Sequence, residues 1–330
     1  MHKDRLELYR QLENMRKSKV IVYVTGDRRG LETEIHPEIL DFFVEHLDLI
    51  DGAKKISLFL YTCGGRTSAS WSIPNLMRQF CEGFEVIVPS KAHSGGTLIC
   101  LGADNIVMTK QAALGPIDPS VNSPLNPQIP GASPMARASV SVEAIKGFVE
   151  FARAESGGEH IHEVVKLLAE KVHPLVLGEV YRARAQIRMQ ASKLMSGQIQ
   201  NKDQREKILE FLCSESGSHD YTINRREAKE TLGLPIEKPD DRLYRLIKEI
   251  YGNIASELEL TNPYDPQVVL GDADEKRYCF RRALLESVKG GVDVYVTEGT
   301  LRKRKPIGEE PAPLEPFMDE RTFEGWRHEK

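Results

Sequence analysis

The chain has 330 residues, 40% of them hydrophobic and 28% charged, with a formal net charge of −4. That composition belongs to a globular protein large enough for one substantial core plus a smaller appended unit. The charge gives no basis for a polyanion-binding role: RKRK at 302–305 reads as a solvated tail segment, so nucleic acid is not expected as a partner. Five widely spaced cysteines without a CxxC pair argue against a zinc site or a disulfide framework and for a reducing compartment.

The opening MHKDRLELYRQLENMRKSK is charged throughout and reads as a helix over 1–18. No apolar run in the chain reaches the roughly 18 residues of a membrane span, so neither signal peptide nor membrane anchor is expected, and the expected location is cytoplasmic. KVIVYV (19–24), KISLFLY (55–61), FEVIVP (84–89) and NIVM (105–108) are β-branched and nearly continuous in apolar residues, as strands covered on both faces are. Helical patterns alternate with them at 37–50, 67–81 and after Thr97. Strand and helix in strict alternation predict an α/β fold with a mainly parallel sheet and right-handed crossovers. Residues 115–141 are irregular and rich in proline, the texture of a long functional loop. Helical patterns return at 142–153, 159–172, 174–195, 225–232 and 243–250, the fourth opened by the capping-box spacing of Asn224 and Glu227. The remainder is mixed, with one strand expected at 292–296.

In a parallel sheet ligands gather at the carboxyl ends of the strands, and two glycine pairs fall there: TCGGRT (62–67) and HSGGT (93–97). Neither fits a nucleotide-binding signature. Two such loops can aim two backbone N–H groups at one point, because glycine lets the chain turn sharply and a reacting atom approach closely. Ser94 stands at the strand-to-helix turn between them. It reads either as a nucleophile beside an oxyanion hole or as the N-cap of a buried helix, and HSGG alone leaves both open.

The run SKAHSGGTLICLGADNIVMTKQAALGPIDP (90–119), preceded by the TCGG loop and followed by SHDYTINRREAKETLGLP (218–235), resembles the serine dehydrogenase proteinase family. That family is a distant relative of the ClpP and SppA peptidases within the ClpP/crotonase fold. The likeness spans roughly 19–236, which implies a ClpP/crotonase-like peptidase domain over those residues and a smaller mixed extension over 237–330. It implies a serine endopeptidase acting on peptide or unfolded protein without cofactor or metal, and a homo-oligomer. Cys63 stands where relatives frequently carry proline, and the membrane segment with which relatives often begin is not expected here.

A serine nucleophile needs a base, and the base an orienting group. His93 reads as a wall of the site, and His160 and His162 as solvated. The resemblance implies the chain order Ser, Asp, His, with Ser94 as nucleophile, Asp118 orienting, His219 as general base, and the N–H groups of Gly65 and Gly95 as oxyanion hole. Asp118 also reads as a turn residue before Pro119, and His219 as a surface loop residue. Two alternative bases stand beside His219. His173 precedes Pro174 at a helix junction and reads also as a cap. Lys146 borders the apolar face of its helix and would form a serine–lysine dyad of the SppA kind. A crotonase-like acyl-CoA enzyme and a silent scaffold are the alternatives of other classes.

Overall fold

The computed structural model describes residues 2–50, 52–117, 119–215, 220–304 and 317–329. The four apolar runs form strands β1 (Lys19–Thr25), β2 (Lys55–Tyr61), β3 (Gly83–Val88) and β4 (Asn105–Met108). They run parallel, with Val22 opposite Phe59, Leu58 opposite Val86, and Val86 opposite Ile106. The two-residue strand β5 (Ile236–Glu237) continues the sheet beyond β4, again in parallel. On the far side of β1 the direction reverses. Three 13-residue strands, β6 (Glu275–Ser287), β7 (Gly291–Lys303) and β8 (Phe317–Glu329), pair antiparallel and complete an eight-stranded sheet in the order β5-β4-β3-β2-β1-β6-β7-β8. The strand expected at 292–296 is thus part of a much longer one.

Helix α1 (His2–Arg16) and helix α5 (Asp241–Glu257) cover one face of this sheet. Tyr9 and Leu12 from the first, and Leu243, Ile247, Ile250 and Ile254 from the second, pack on Val20, Val22, Val24 and Phe59. The alternate residues of β1, among them Tyr23, point to the opposite face, where Phe43 of helix α2 (Ile39–Ile50) meets the Tyr23 ring edge-on at 5.3 Å. Helices α3 (Thr67–Phe80) and α4 (Gly95–Leu101) follow the two glycine loops. Their close approach depends on Gly102, where an added Cβ would lie 2.5 Å from Cβ of Pro74, a proline inside α3.

Buried charge marks the ends of the strands opposite the glycine loops. Glu85 of β3 is fully buried and accepts from Arg16 at 2.5 and 2.9 Å, Ser57 at 2.6 Å and Asn105 at 3.1 Å, with Lys55 at 2.9 Å. Burial pushes its carboxyl up, but Arg16, Ser57 and Lys55 outweigh that and hold it down at about 2.

Contacts divide the chain into two compact units, 1–114 with 224–330, and 115–223. The second is helical. Val142–Ser156, Ile161–Lys171, Pro174–Met195 and Lys202–Glu210 surround a small core of Val121, Val140, Val142, Val172, Val176 and Val180. The first three of these helices match the sequence expectation, and the fourth had no periodic signal strong enough to find it.

Candidate active site

Helix α4 starts one residue after Ser94, and the backbone of Ser94 takes φ 50° and ψ −113°. A left-handed φ is costly for a residue with a Cβ, of order 1–3 kcal/mol, and persists only where surrounding structure enforces it. The enforcing contacts are present. His93 N–H donates to Thr62 O (3.1 Å), Thr62 N–H to Lys91 O (3.2 Å), and Gly96 N–H to His93 O (2.8 Å). The Thr97 hydroxyl donates to Ala92 O at 2.8 Å and closes the turn. Ser94 makes no side-chain cap hydrogen bond, so its half-buried hydroxyl is not tied to the helix. Of the two readings of HSGG, the capping one fails.

The first glycine loop is shaped by a residue that sequence reasoning passed over. The Thr62 hydroxyl accepts from Gly64 N–H at 2.9 Å and from the Thr25 hydroxyl at 2.6 Å, bending the chain just past β2. Gly64 and Gly65 then take φ of 115° and 147°, values open to glycine and strained for other residues. Their neighbours exclude side chains as well. A Cβ at Gly65 would lie 2.3 Å from Ile35 N, because Ile35 pairs with this loop through Ile35 N–H to Gly64 O and Arg66 N–H to Ile35 O, both 2.8 Å. A Cβ at Gly64 would lie 2.8 Å from Ser94 Cβ and 3.1 Å from Gly95 N; one at Gly95 would lie 2.3 Å from Ser70 Oγ and 3.3 Å from Gly65 N. The two glycine loops therefore meet at Ser94. Among the described residues, neither Gly65 N–H nor Gly95 N–H donates to an acceptor.

A charged pillar stands behind the loop. Lys91 Nζ lies 2.5 Å from Asp27 Oδ2, and the Tyr61 hydroxyl donates to Asp27 Oδ1 at 2.7 Å. Burial opposes both charges, yet the pairing wins: Asp27 is held below the ordinary carboxylate range and Lys91 above the ordinary lysine value. Lys91 is thus a committed ammonium and not a base for the nearby serine.

Asp118 and His219 lie outside the described residues. In the helical unit, Lys146 Nζ sits between Glu143 Oε2 at 3.9 Å and Glu150 Oε1 at 3.5 Å, an ion-paired position. His173 caps its helix: its Nδ1 accepts from Leu175 N–H at 3.2 Å, and Pro174 is the first helical residue. His160 and His162 are exposed and lie beside Glu163.

One Ser–His–Asp set is formed among the described residues, from three positions that no sequence pattern connects. His46 Nδ1 is 2.8 Å from Ser287 Oγ, and His46 Nε2 is 2.8 Å from Asp293 Oδ2. Each of the three residues is 1% exposed, and Ser287 Oγ also accepts from Gly290 N–H at 2.8 Å. With no route for a substrate, the set is a satisfied buried network that ties α2 to the β6–β7 hairpin. Distances alone would have misidentified it; burial decides.

A strained serine at a strand-to-helix turn where two glycine loops meet, with the Gly65 and Gly95 N–H groups uncommitted among the described residues, is an arrangement suited to acyl transfer. Residues 1–137 match the model of the ClpP-like SDH-type serine proteinases. The match bears out the resemblance read from the sequence and supports a serine peptidase. An uncharacterized protein of Methanocaldococcus jannaschii is 28% identical over 255 residues, covering 75% of this chain and 78% of the relative. A second from the same organism is 29% identical over 191 residues, covering 50% and 63%. Among solved structures, a mutant of the 1510-N membrane-bound stomatin-specific protease aligns over 68% of this chain and 82% of its own at 19% identity and a TM-score of 0.36. ClpP1 from Listeria monocytogenes aligns over 72% and 99% at 17% identity and a TM-score of 0.38. No helix among the described residues is long and apolar enough to cross a membrane.

Proposed function

We propose that this protein is a serine peptidase in which Ser94 is the nucleophile and the N–H groups of Gly65 and Gly95 form the oxyanion hole. The observation that carries the reading is Ser94 itself, held at φ 50° without a capping bond and packed against a loop whose glycines admit no side chain. Nothing in the packing of α4 requires a serine there, whereas presenting a hydroxyl that makes no cap bond, beside two N–H groups that are uncommitted among the described residues, does. In the reaction, Ser94 Oγ attacks the scissile carbonyl carbon while its proton passes to the base. The carbonyl oxygen takes the negative charge between the two N–H groups; the C–N bond then breaks as the base returns the proton to the leaving amine. Water, activated by the same base, hydrolyses the acyl-enzyme. His219 is the base and Asp118 its orienting acid, in the order implied by the family. The ion pairs of Lys146 and the capping bond of His173 favour His219 over either as the base. Substrates are peptides or unfolded proteins, and the working form is a homo-oligomer.

The test is acylation by a fluorophosphonate, with the labelled peptide identified by mass. Label on Ser94, lost in Ser94→Ala and reduced by orders of magnitude in His219→Ala but within about tenfold of wild type in Lys146→Ala, is the expected pattern. A folded wild type without label would overturn the peptidase reading in favour of acyl-CoA chemistry or a scaffold. A dead Lys146→Ala beside a reactive His219→Ala would replace the triad with a serine–lysine dyad.

A further inference from the structure

One threonine touches both glycine loops, and it does so with three different parts of itself. The parallel register that sets Val24 opposite Tyr61 brings Thr25 and Thr62 side by side at the ends of β1 and β2. Both are buried, Thr25 at 1% exposure and Thr62 at 0%. The Thr62 hydroxyl has one hydrogen and two lone pairs, and all three are used. It accepts from the Thr25 hydroxyl at 2.6 Å and from Gly64 N–H at 2.9 Å, and it donates to Gly64 O at 3.3 Å. The Thr62 backbone pairs with the segment that leads into Ser94, donating to Lys91 O and accepting from His93 N–H. Its methyl lies against the first turn of α4, where a Cβ added to Gly96 would come within 2.5 Å of Thr62 Cγ2. The first loop is thus held by the hydroxyl, and the second by the backbone and the methyl.

Stability alone does not call for these hydroxyls. Val22, Val24, Phe59 and Leu60, just ahead of them in the same strands, are fully buried apolar residues. Replacing both partners of a buried hydrogen bond by apolar groups of the same shape is nearly neutral, so a valine pair would serve a core as well. What valine cannot do at position 62 is accept from Gly64 N–H. Gly64 is buried, and a buried N–H left without its acceptor is costly. The loop can relieve that cost only by shifting. Gly65 follows directly, and its N–H is the donor assigned to the first loop. A displacement of about 1 Å in such a site can cost about 10²-fold in rate.

We propose that Thr62 is a positioning residue that sets the spacing of the Gly65 and Gly95 N–H groups, and that Thr25 acts through it; the assignment rests on the peptidase reading above. Thr25 donates into one lone pair of the Thr62 hydroxyl, which leaves the other to Gly64 N–H and the hydrogen to Gly64 O. One orientation of the Thr62 side chain satisfies all three bonds. Neither threonine is given contact with the substrate, and both act through the loop.

The experiment separates rate from folding. Labelling of Ser94 by a fluorophosphonate is timed over a range of probe concentrations, at a temperature where circular dichroism shows every variant folded. This gives the rate at saturation and the concentration at half-saturation. We expect Thr62→Val to lower the saturating rate at least tenfold, with half-saturation within about threefold of wild type. Thr62→Ser, which restores the hydroxyl, should return the rate to within about threefold of wild type. Thr25→Val should lower the rate severalfold, and Thr25→Ser should restore it. Because Thr25 acts through Thr62, Thr25→Val with Thr62→Val should be no slower than Thr62→Val alone. It should also melt at the same temperature or higher, since it removes a hydroxyl left without its acceptor. Asp240→Ala, which deletes the cap bond to Leu243 N–H at the start of α5, should lower the melting temperature and leave the rate unchanged. A rate that follows melting temperature across all variants, Asp240→Ala included, would overturn the positioning role. If Thr62→Val does not fold, Thr25→Val reacting at the wild-type rate would overturn it as well. If Ser94 takes the label and the folded valine variants react as fast as wild type, the positioning role is wrong and the peptidase reading stands. If the folded wild type takes no label, both fall.

Discussion

Gly95→Ala, alone and with Ser70→Ala, separates packing from chemistry at the candidate oxyanion hole. The new methyl would lie 2.3 Å from Ser70 Oγ, an overlap of roughly 1 Å against ordinary contact. Overpacking of that kind costs about 1–3 kcal/mol. Ser70→Ala removes the colliding atom and leaves the next neighbours, Ser70 Cβ and Gly65 N, at 3.3 Å, tight but tolerable. The hydroxyl's other role is donating to Arg66 O at 3.1 Å within its own helix, so Ser70→Ala alone should cost no more than about 1 kcal/mol. The double variant should therefore recover about 1–2 kcal/mol relative to the sum of the singles, a coupling measurable by urea denaturation in a double-mutant cycle. Activity should not return with stability. The methyl still sits 3.3 Å from Gly65 N, crowding the proposed donor, and loss of one oxyanion donor costs about 10² to 10³ in kcat. Acylation of Ser94 by fluorophosphonate, timed in both variants, is the second readout. A refolded double variant that acylates at the wild-type rate would show that Gly65 and Gly95 do not flank the reacting oxygen.

Ser94→Ala should change stability by less than about 0.5 kcal/mol, because no cap bond is lost. Asn224→Ala should cost about 1 kcal/mol, since Asn224 Oδ1 accepts from Arg226 and Glu227 N–H at 3.0 and 3.1 Å; equal losses in urea denaturation would restore the capping role of Ser94. Gly65→Ala should lose stability as well as activity, because the colliding atoms belong to the Ile35 backbone and cannot turn aside; a fully stable variant would refute the loop geometry. Glu85, with its carboxyl held at about 2, is depressed relative to an unfolded value near 4.3. Its contribution, roughly 3 kcal/mol, is therefore fully present above that unfolded value and lost as pH falls from about 4.5 towards 2. Glu85→Gln should flatten the acid limb of a stability-versus-pH curve, and an unchanged limb would assign acid unfolding to other groups.

Hydrophobic order along the chain was sufficient for β1 to β4, α2, α3 and the first three helices of the second unit, because strands covered on both faces and amphipathic helices write their environment into neighbouring residues. The glycine pairs were legible for the same local reason. β8 was not: FMDERTFEGWRHE is exposed over most of its length and is held by its ladder with β7, not by an apolar face. A strand defined by its partner's backbone leaves no periodicity to read. Local reading also put Ser94 between two glycine loops but left its role undecided, since a capping serine and a nucleophile have the same neighbours in the chain. What decided the cap question was tertiary: Thr62 bends one loop, Ile35 pairs with it from β1's following segment, and together they hold Ser94 at a φ that no local preference selects. The set of His46, Ser287 and Asp293 is the converse case, a histidine brought by folding to two residues of a hairpin more than 240 positions away, and only burial distinguishes it from a catalytic site. Local pattern fixes the strands covered on both faces and the amphipathic helices, whereas an exposed edge strand, the angle of one serine and the reach of solvent to one histidine depend on contacts between segments that carry no mark of each other.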